Sequence, residues 1–227
     1  MQPTARNRYH CGETLRQQVT ANLDRFSVNK AKTDPKQRAA VAITIVETGH
    51  GPDVYGLPRH DHWDSSAALV LTRRAAGLRN HAGQWALPGG RMEEGEQPEE
   101  TALRELSEEV GLPLAPDRVM GCLDEYTTRS GFTITPVVVW GGAGIELTPN
   151  RSEVASVHRI PIGELMRHDA PILEDIPESR HPVILMPVGN SWIAAPTAAM
   201  LYQFREVAIK GQATRVAHFE QPYFAWQ

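Results

Sequence analysis

Apolar positions recur along this chain with two different periods, and the change of period marks out its elements. Leu15, Val19, Leu23 and Phe26 stand three and four residues apart within polar sequence, which predicts a short amphipathic helix packed on the main body. Residues 29–38 are polar and predict a linker. From residue 39 the pattern shortens. Residues 39–47 and 65–72 are apolar runs suited to strands, separated by a Gly/Pro/His-rich loop over 49–64 that is long enough to have a functional role. Further strands are predicted near residues 118–127, 132–140 and 155–160, the last ending at Pro161.

The clearest helix is predicted over Pro98–Val110. Pro98 suits the first turn, Glu99 and Glu100 favour the positive end of the helix dipole, and Gly111 suits the left-handed position after the last turn. A final helix is predicted over 197–209, between Pro196 and Gly211. This order of strands and helices predicts an α/β fold with a mixed sheet flanked by helices. The expected organisation is a helical extension and linker at 1–38, one catalytic domain at 39–211, and an aromatic tail at 212–227 that docks on the domain or at a dimer contact.

Charge narrows the functional classes. A formal net charge of -4 argues against a surface built to neutralise a nucleic-acid backbone and favours a small phosphorylated ligand. The two cysteines, Cys11 and Cys122, have neither disulfide-framework nor zinc-ligand spacing, which fits a reducing cytoplasm. The first residues lead into polar sequence without a signal-peptide core, and the longest apolar runs are too short to cross a bilayer. The expectation is therefore a cytoplasmic protein with no membrane and no nucleic-acid partner.

The chemistry concentrates on the predicted helix over Pro98–Val110. Glu105, Glu108 and Glu109 stand at i, i+3 and i+4, so their carboxylates emerge on one helix face and repel one another there. Such a cluster is either a solvated acidic face or a site for a hard divalent cation, which takes several carboxylate oxygens and reverses the local electrostatics. Oxygen ligands without a local His/Cys set favour Mg²⁺ first and Mn²⁺ second. The turn at Gly89 and Gly90 offers a carbonyl to the same cation, and Arg104 is expected to hold Glu96 or Glu105 in place.

Gly90, five residues, Glu96, seven residues, then Arg104-Glu105-Leu106-Ser107-Glu108-Glu109-Val110-Gly111-Leu112 matches every specified position of the Nudix box. The chain resembles the Nudix hydrolases. That resemblance implies an α/β/α sandwich around a mixed central sheet and a metal-dependent attack of water on a diphosphate. It also implies that Gly90, Glu105, Glu108 and Glu109 hold metal while Glu108, Glu105 and Arg104 serve catalysis, with a base from a later loop as an alternative. Glu125, Glu153, Glu174 and Asp175 are later acids, each read individually as a surface group.

Upstream of the box, Leu71, Thr72, Arg74, Arg79, Gly83, Pro88, Gly89 and Gly90 match a signature of coenzyme A-directed Nudix enzymes, while Val70, Ala75 and Leu87 replace its Leu, Ser and Phe. The similarity implies coenzyme A or acyl-CoA as substrate, 3′,5′-ADP and 4′-phosphopantetheine or its acylated form as products, and allows a homodimer. Arg74 and Arg79 provide planar cationic forks for phosphate, joined by His81, Gly83 and Gly89 at the ligand. Trp85 suits either the core or stacking on adenine. ADP-ribose, NADH and noncatalytic nucleotide sensing are the competing readings.

Overall fold

Side chains along β1 (Arg38–Gly49) alternate between two interiors. Ala40, Ala42 and Val46 face one core, and Ile43 and Ile45 face the other. A strand buried on both faces belongs in the middle of a sheet with layers on either side, and β1 sits there. The computed structural model describes residues 9–31, 37–75 and 83–222.

Among these residues, eight strands form one mixed sheet. β1 runs antiparallel to β2 (Asp64–Arg74) and parallel to β7 (Thr133–Gly142). β8 (Val154–Pro161) lies antiparallel on the far side of β2, while β5 (Val119–Cys122) and β6 (Tyr126–Thr127) pair with β7. β1 and β2 pair between Ile45↔Leu69 and Gly49↔Asp64. Beyond that stretch, two short strands take up their edges. β3 (Trp85–Ala86) pairs with Thr72 and Arg73, and β4 (Gly89–Arg91) pairs with residues from Ala39 to Val41. The glycine turn is thereby fixed to the sheet as part of its hydrogen-bonded ladder.

One face is covered by α2 (Pro98–Val110), which buries Ala102, Leu106 and Val110 on Ala40, Ala42, Ala68, Val70, Val137 and Val139. Leu106 is fully buried, so truncating it to alanine costs about 2–5 kcal/mol. The helix ends carry the predicted signals. The backbone N–H of Gln97 donates to Glu100 at 2.8 Å, and Gly111 adopts φ 66° and donates to the Ser107 carbonyl at 3.2 Å.

The opposite face packs on α4 (Thr197–Phe204) and its π-helical continuation Arg205–Ile209, on α1 (Glu13–Asp24), and on a three-stranded antiparallel sheet. That small sheet, β9 (Ile172–Glu174), β10 (Val183–Val188) and β11 (Ser191–Ala194), follows the short α3 (Ile162–Leu165) and was not predicted. Helices thus lie on both sides of a mixed sheet, giving the expected α/β sandwich. Among the described residues no helix is long and apolar enough to cross a membrane.

Three expectations need correction. The strand predicted near 118–127 is broken between Cys122 and Tyr126, where Leu123 is buried and Asp124 and Glu125 turn inward. The helix predicted over 197–209 loses its α-helical repeat after Phe204, where Arg205 donates to the carbonyls of Leu165 at 3.0 Å and Ala170 at 2.7 Å. Glu125 is not a surface acid: at 5% exposure it accepts from the Ala31 amide at 2.6 Å and pairs with the Arg38 guanidinium. A buried carboxylate is tolerated there because charged and backbone donors satisfy it.

Near the C-terminus, the Glu220 amide donates to the Pro182 carbonyl at 2.9 Å and Tyr126 donates its hydroxyl to the Phe219 carbonyl at 2.8 Å. The remaining tail aromatics, Tyr223, Phe224 and Trp226, lie outside the described residues.

Candidate active site

The acidic face of α2 meets the glycine turn at close quarters. Glu105 and Glu109, one helical turn apart, are 8% and 7% exposed, whereas the Glu108 side chain is 53% exposed. A Cβ built on Gly90 falls 2.1 Å from Glu105 Oε1, and one on Gly89 falls 2.4 Å from the Ala40 carbonyl oxygen. Only glycine lets the β4 backbone approach both the carboxylate and β1 this closely. The Gly89 N–H donates to Glu109 Oε2 at 3.2 Å.

Arg104 organises the cluster. Its Nε donates to Glu96 Oε1 at 2.8 Å, and one terminal nitrogen donates to Glu105 Oε1 at 2.8 Å and Glu108 Oε2 at 3.0 Å. The other terminal nitrogen reaches Glu96 Oε2 and the Arg91 carbonyl, both at 3.2 Å. A planar fork suits this task because it bonds several acids without rotating. Its effect appears in Glu96, which the Arg104 hydrogen bond holds down at about 2.

A third carboxylate arrives from outside the box. The amides of Thr148 and Asn150 donate to the carbonyls of Val110 and Glu109, both at 2.9 Å, so this segment caps the end of α2. Glu153 follows at once, with its amide bonded to the Asn150 carbonyl at 3.0 Å and its own carbonyl accepting from Ala75 at 2.9 Å. Glu105, Glu109 and Glu153 each place a carboxylate oxygen within 4.8 Å of the other two. Glu153 was read as a surface acid, and it is exposed, yet the capping segment brings it to the buried pair.

Three acids beside the negative end of a helix are electrostatically costly. Burial, reinforced by Glu105, raises Glu109 to about 7, and burial also raises Glu105 against the pull of Arg104. The charge of Arg74, at the end of β2, favours ionised Glu109. This all-oxygen donor set fits a hard divalent cation, which supplies the missing positive charge.

The other predicted residues are dispersed around this centre. Arg74 has a buried Nε with no hydrogen-bond partner. Gly83, exposed at φ 70°, accepts from Arg73 at 3.0 Å and donates to the Arg74 carbonyl at 3.0 Å. Arg79 and His81 fall outside the described residues. Trp85 is buried in the larger core, but its indole Nε1 has no hydrogen-bond partner. Glu174 and Asp175 are exposed. No local signal marked Glu153. Only its position shortly after the segment that closes the helix connects it to the site.

Comparison with known proteins identifies the family. Residues 54–179, more than half of the 227, match the NUDIX domain. An uncharacterized Nudix hydrolase NudL of Pectobacterium atrosepticum is 40% identical over 139 residues, which span 60% of this chain and 72% of that protein. Its namesake in Yersinia enterocolitica is 38% identical over 136 residues, spanning 59% of this chain and 70% of that one. A MutT/nudix family protein from Enterococcus faecalis superposes with a TM-score of 0.48 at 15% identity, covering 78% of this chain and 64% of its own. With the domain matched across the glutamate helix and relatives spanned for more than two thirds of their length, this chain belongs to the Nudix hydrolase family.

Proposed function

We propose that this Nudix hydrolase cleaves the diphosphate bond of coenzyme A or acyl-CoA, releasing 3′,5′-ADP and 4′-phosphopantetheine or its acylated form. The observation that carries the diphosphatase chemistry is the convergence of Glu105, Glu109 and Glu153 within 4.8 Å beside the Gly89–Gly90 turn. Glu105, Glu109 and Glu153, with the Gly90 carbonyl, are assigned to hold Mg²⁺ or Mn²⁺. When bound, the cation neutralises nonbridging phosphate oxygens and acidifies water.

The protein supplies position. Arg104 locks Glu105 and Glu108 while leaving Glu108 open to solvent, where it is placed to take the proton of the attacking water. Arg74, whose charge acts on Glu109, is assigned to bind phosphate beside the acids. The coenzyme A preference is supported by Arg74 and Arg79 in the upstream signature, since this substrate carries one phosphate more than ADP-ribose.

The test is product analysis after incubation with Mg²⁺ or Mn²⁺ and coenzyme A, acetyl-CoA, ADP-ribose or NADH. Release of 3′,5′-ADP that EDTA abolishes is the expected result. Cleavage confined to ADP-ribose or NADH overturns the coenzyme A assignment and keeps the chemistry. Failure to cleave any of them, with either metal, counts against both.

A further inference from the structure

Consecutive on β2, Arg73 and Arg74 leave opposite faces of the sheet, and Arg74 is the one that acts on the acid cluster. Glu153 joins that cluster at the end of a stretch with little to fix it. Residues 143–150, which follow β7 and lead toward β8, form neither helix nor strand. Ala143, Gly144, Glu146 and Thr148 are exposed, while Ile145 and Leu147 pack, partly buried, on the core beneath α2. A segment with so little apolar burial opens locally unless its backbone groups are tied down.

The ties lie at its two ends. At the far end, the Thr148 and Asn150 amides bond the carbonyls of Val110 and Glu109. At the near end, the Gly144 N–H donates to Glu47 Oε2 at 3.0 Å. Arg159 donates from one terminal nitrogen to the Glu47 carbonyl at 2.8 Å and from the other to the Ile145 carbonyl. One guanidinium on β8 thus clamps the start of the segment to β1. Gly144 sits at φ 65° with open space where a Cβ would stand, so the bond to Glu47, not packing, defines its place.

Glu47 is 8% exposed, a buried acid that the chemistry described so far does not use. Burying a carboxylate is costly unless donors satisfy it. Besides Gly144, the Trp63 indole donates to the same Oε2 at 2.6 Å, and the charge of Arg159 is felt nearby. Glu47 stands six residues along β1 from Val41, where the glycine turn pairs, roughly 20 Å at the rise of a strand. It is too far away to act at the cation itself. We propose that Glu47 and Arg159 are positioning residues for the acid cluster: they seat the 143–150 segment so that it closes α2 and delivers the Glu153 carboxylate to Glu105 and Glu109. The proposal rests on the assignment of Glu153 to metal only for what the delivered carboxylate does.

The test reads amide exchange in EDTA by NMR, and Mn²⁺ binding by electron paramagnetic resonance, on the full-length chain without substrate. Glu47→Leu is expected to speed exchange at Thr148 and Asn150 about tenfold, the value of one hydrogen bond, with Val137 and Val139 of β7 unchanged, and to weaken Mn²⁺ about tenfold. Glu47→Gln, which keeps an accepting oxygen, is expected to restore both. Trp63→Phe removes the other bond to Oε2 and is expected to leave both as in the wild type. In a Glu153→Gln background, Glu47→Leu is expected to cost no further Mn²⁺ affinity, since the group it positions is already gone. Unchanged exchange in Glu47→Leu overturns the proposal. So does a full further loss of Mn²⁺ affinity in the Glu153→Gln background, which marks a merely structural role, or an equal loss in Trp63→Phe, which assigns the effect to the 49–64 loop. Where Glu47→Leu also speeds β7, Arg159→Lys, which cannot hold two carbonyls at once, reads the same amides with the same deciding outcomes. Wild-type Mn²⁺ affinity in Glu153→Gln overturns the metal assignment of Glu153, while exchange at Thr148 and Asn150 still decides the grip of Glu47.

Discussion

Arg104 reaches back eight residues to Glu96, donating from Nε to Oε1 at 2.8 Å, and so ties the entrance of the box to its helix. The same guanidinium fixes Glu105 and Glu108. Lysine cannot satisfy three acids at these angles. Arg104→Lys is therefore expected to reduce turnover or Mn²⁺ affinity about 10- to 100-fold, the usual cost of disturbing the support of a metal ligand. Steady-state kinetics with parallel Mn²⁺ titration measures it, and an unaltered variant removes the organising role.

The Arg104–Glu96 contact also makes a pH prediction. Glu96 is held at about 2, below its ordinary 4.5. A folded value below the unfolded one means that protons bind the unfolded chain more readily, so this contribution to stability is complete above the ordinary range and vanishes as pH falls through about 2. Glu96→Gln should lower the melting temperature at pH 7, with the gap to wild type closing between about pH 4.5 and the acid limit. A gap that stays constant from pH 7 to pH 3 contradicts the contact.

Gly89 and Gly90 should fail in different ways. A methyl on Gly89 strikes the backbone of Ala40 and Val41, whereas one on Gly90 strikes the Glu105 carboxylate, a side chain able to move. Gly89→Ala is expected to destabilise the fold, by roughly 1–3 kcal/mol or more. Gly90→Ala should keep the fold and lose turnover with bound metal. Circular dichroism melts beside activity distinguish the two.

Glu105→Gln and Glu109→Gln each preserve shape and remove one of the crowded charges. Both variants are expected to melt at or above the wild-type temperature in EDTA while losing turnover by about 100-fold or more, on the order of a lost electrostatic catalytic group. Glu153→Gln should share the loss. Near-normal turnover in Glu153→Gln would restrict the centre to the box.

How much of this was legible depended on where the physical signal resided. The ends of α2 were readable because Pro98 and Gly111 act within a turn of themselves. The buried strands were readable because their apolar residues run together. β9 to β11 were not: Leu173 and Trp192 are exposed, so two of its three strands carry apolar residues that do not report burial. Glu125 was misjudged, and the approach of the exposed Glu153 to the buried pair was missed, for a shared reason. Nothing beside them in sequence says that one will meet a helix end and the other Arg38, because both encounters depend on tertiary packing.

Buried polar contacts hold the helical layer to the sheet as well. Gln203 donates to Asp124 at 2.8 Å and accepts from the Asp124 amide at 3.1 Å, while Arg215 donates to the same carboxylate at 2.6 Å. Gln203→Leu leaves a buried carboxylate and an amide short of partners, and is expected to cost about 1–3 kcal/mol in urea denaturation. A cost near zero would mean that water or Arg215 takes over the bonds.

The division of β2 between two faces has a consequence for how such a protein changes over time. Arg74 and the acids answer to α2 and the segment that closes it, whereas the surroundings of Arg73 are drawn from the 49–64 loop and the turn into β11. Substitutions in those outer segments leave Arg74, the acids and the segment that closes α2 in place. A one-residue shift within β2 would reverse the two arginines and spoil both faces together.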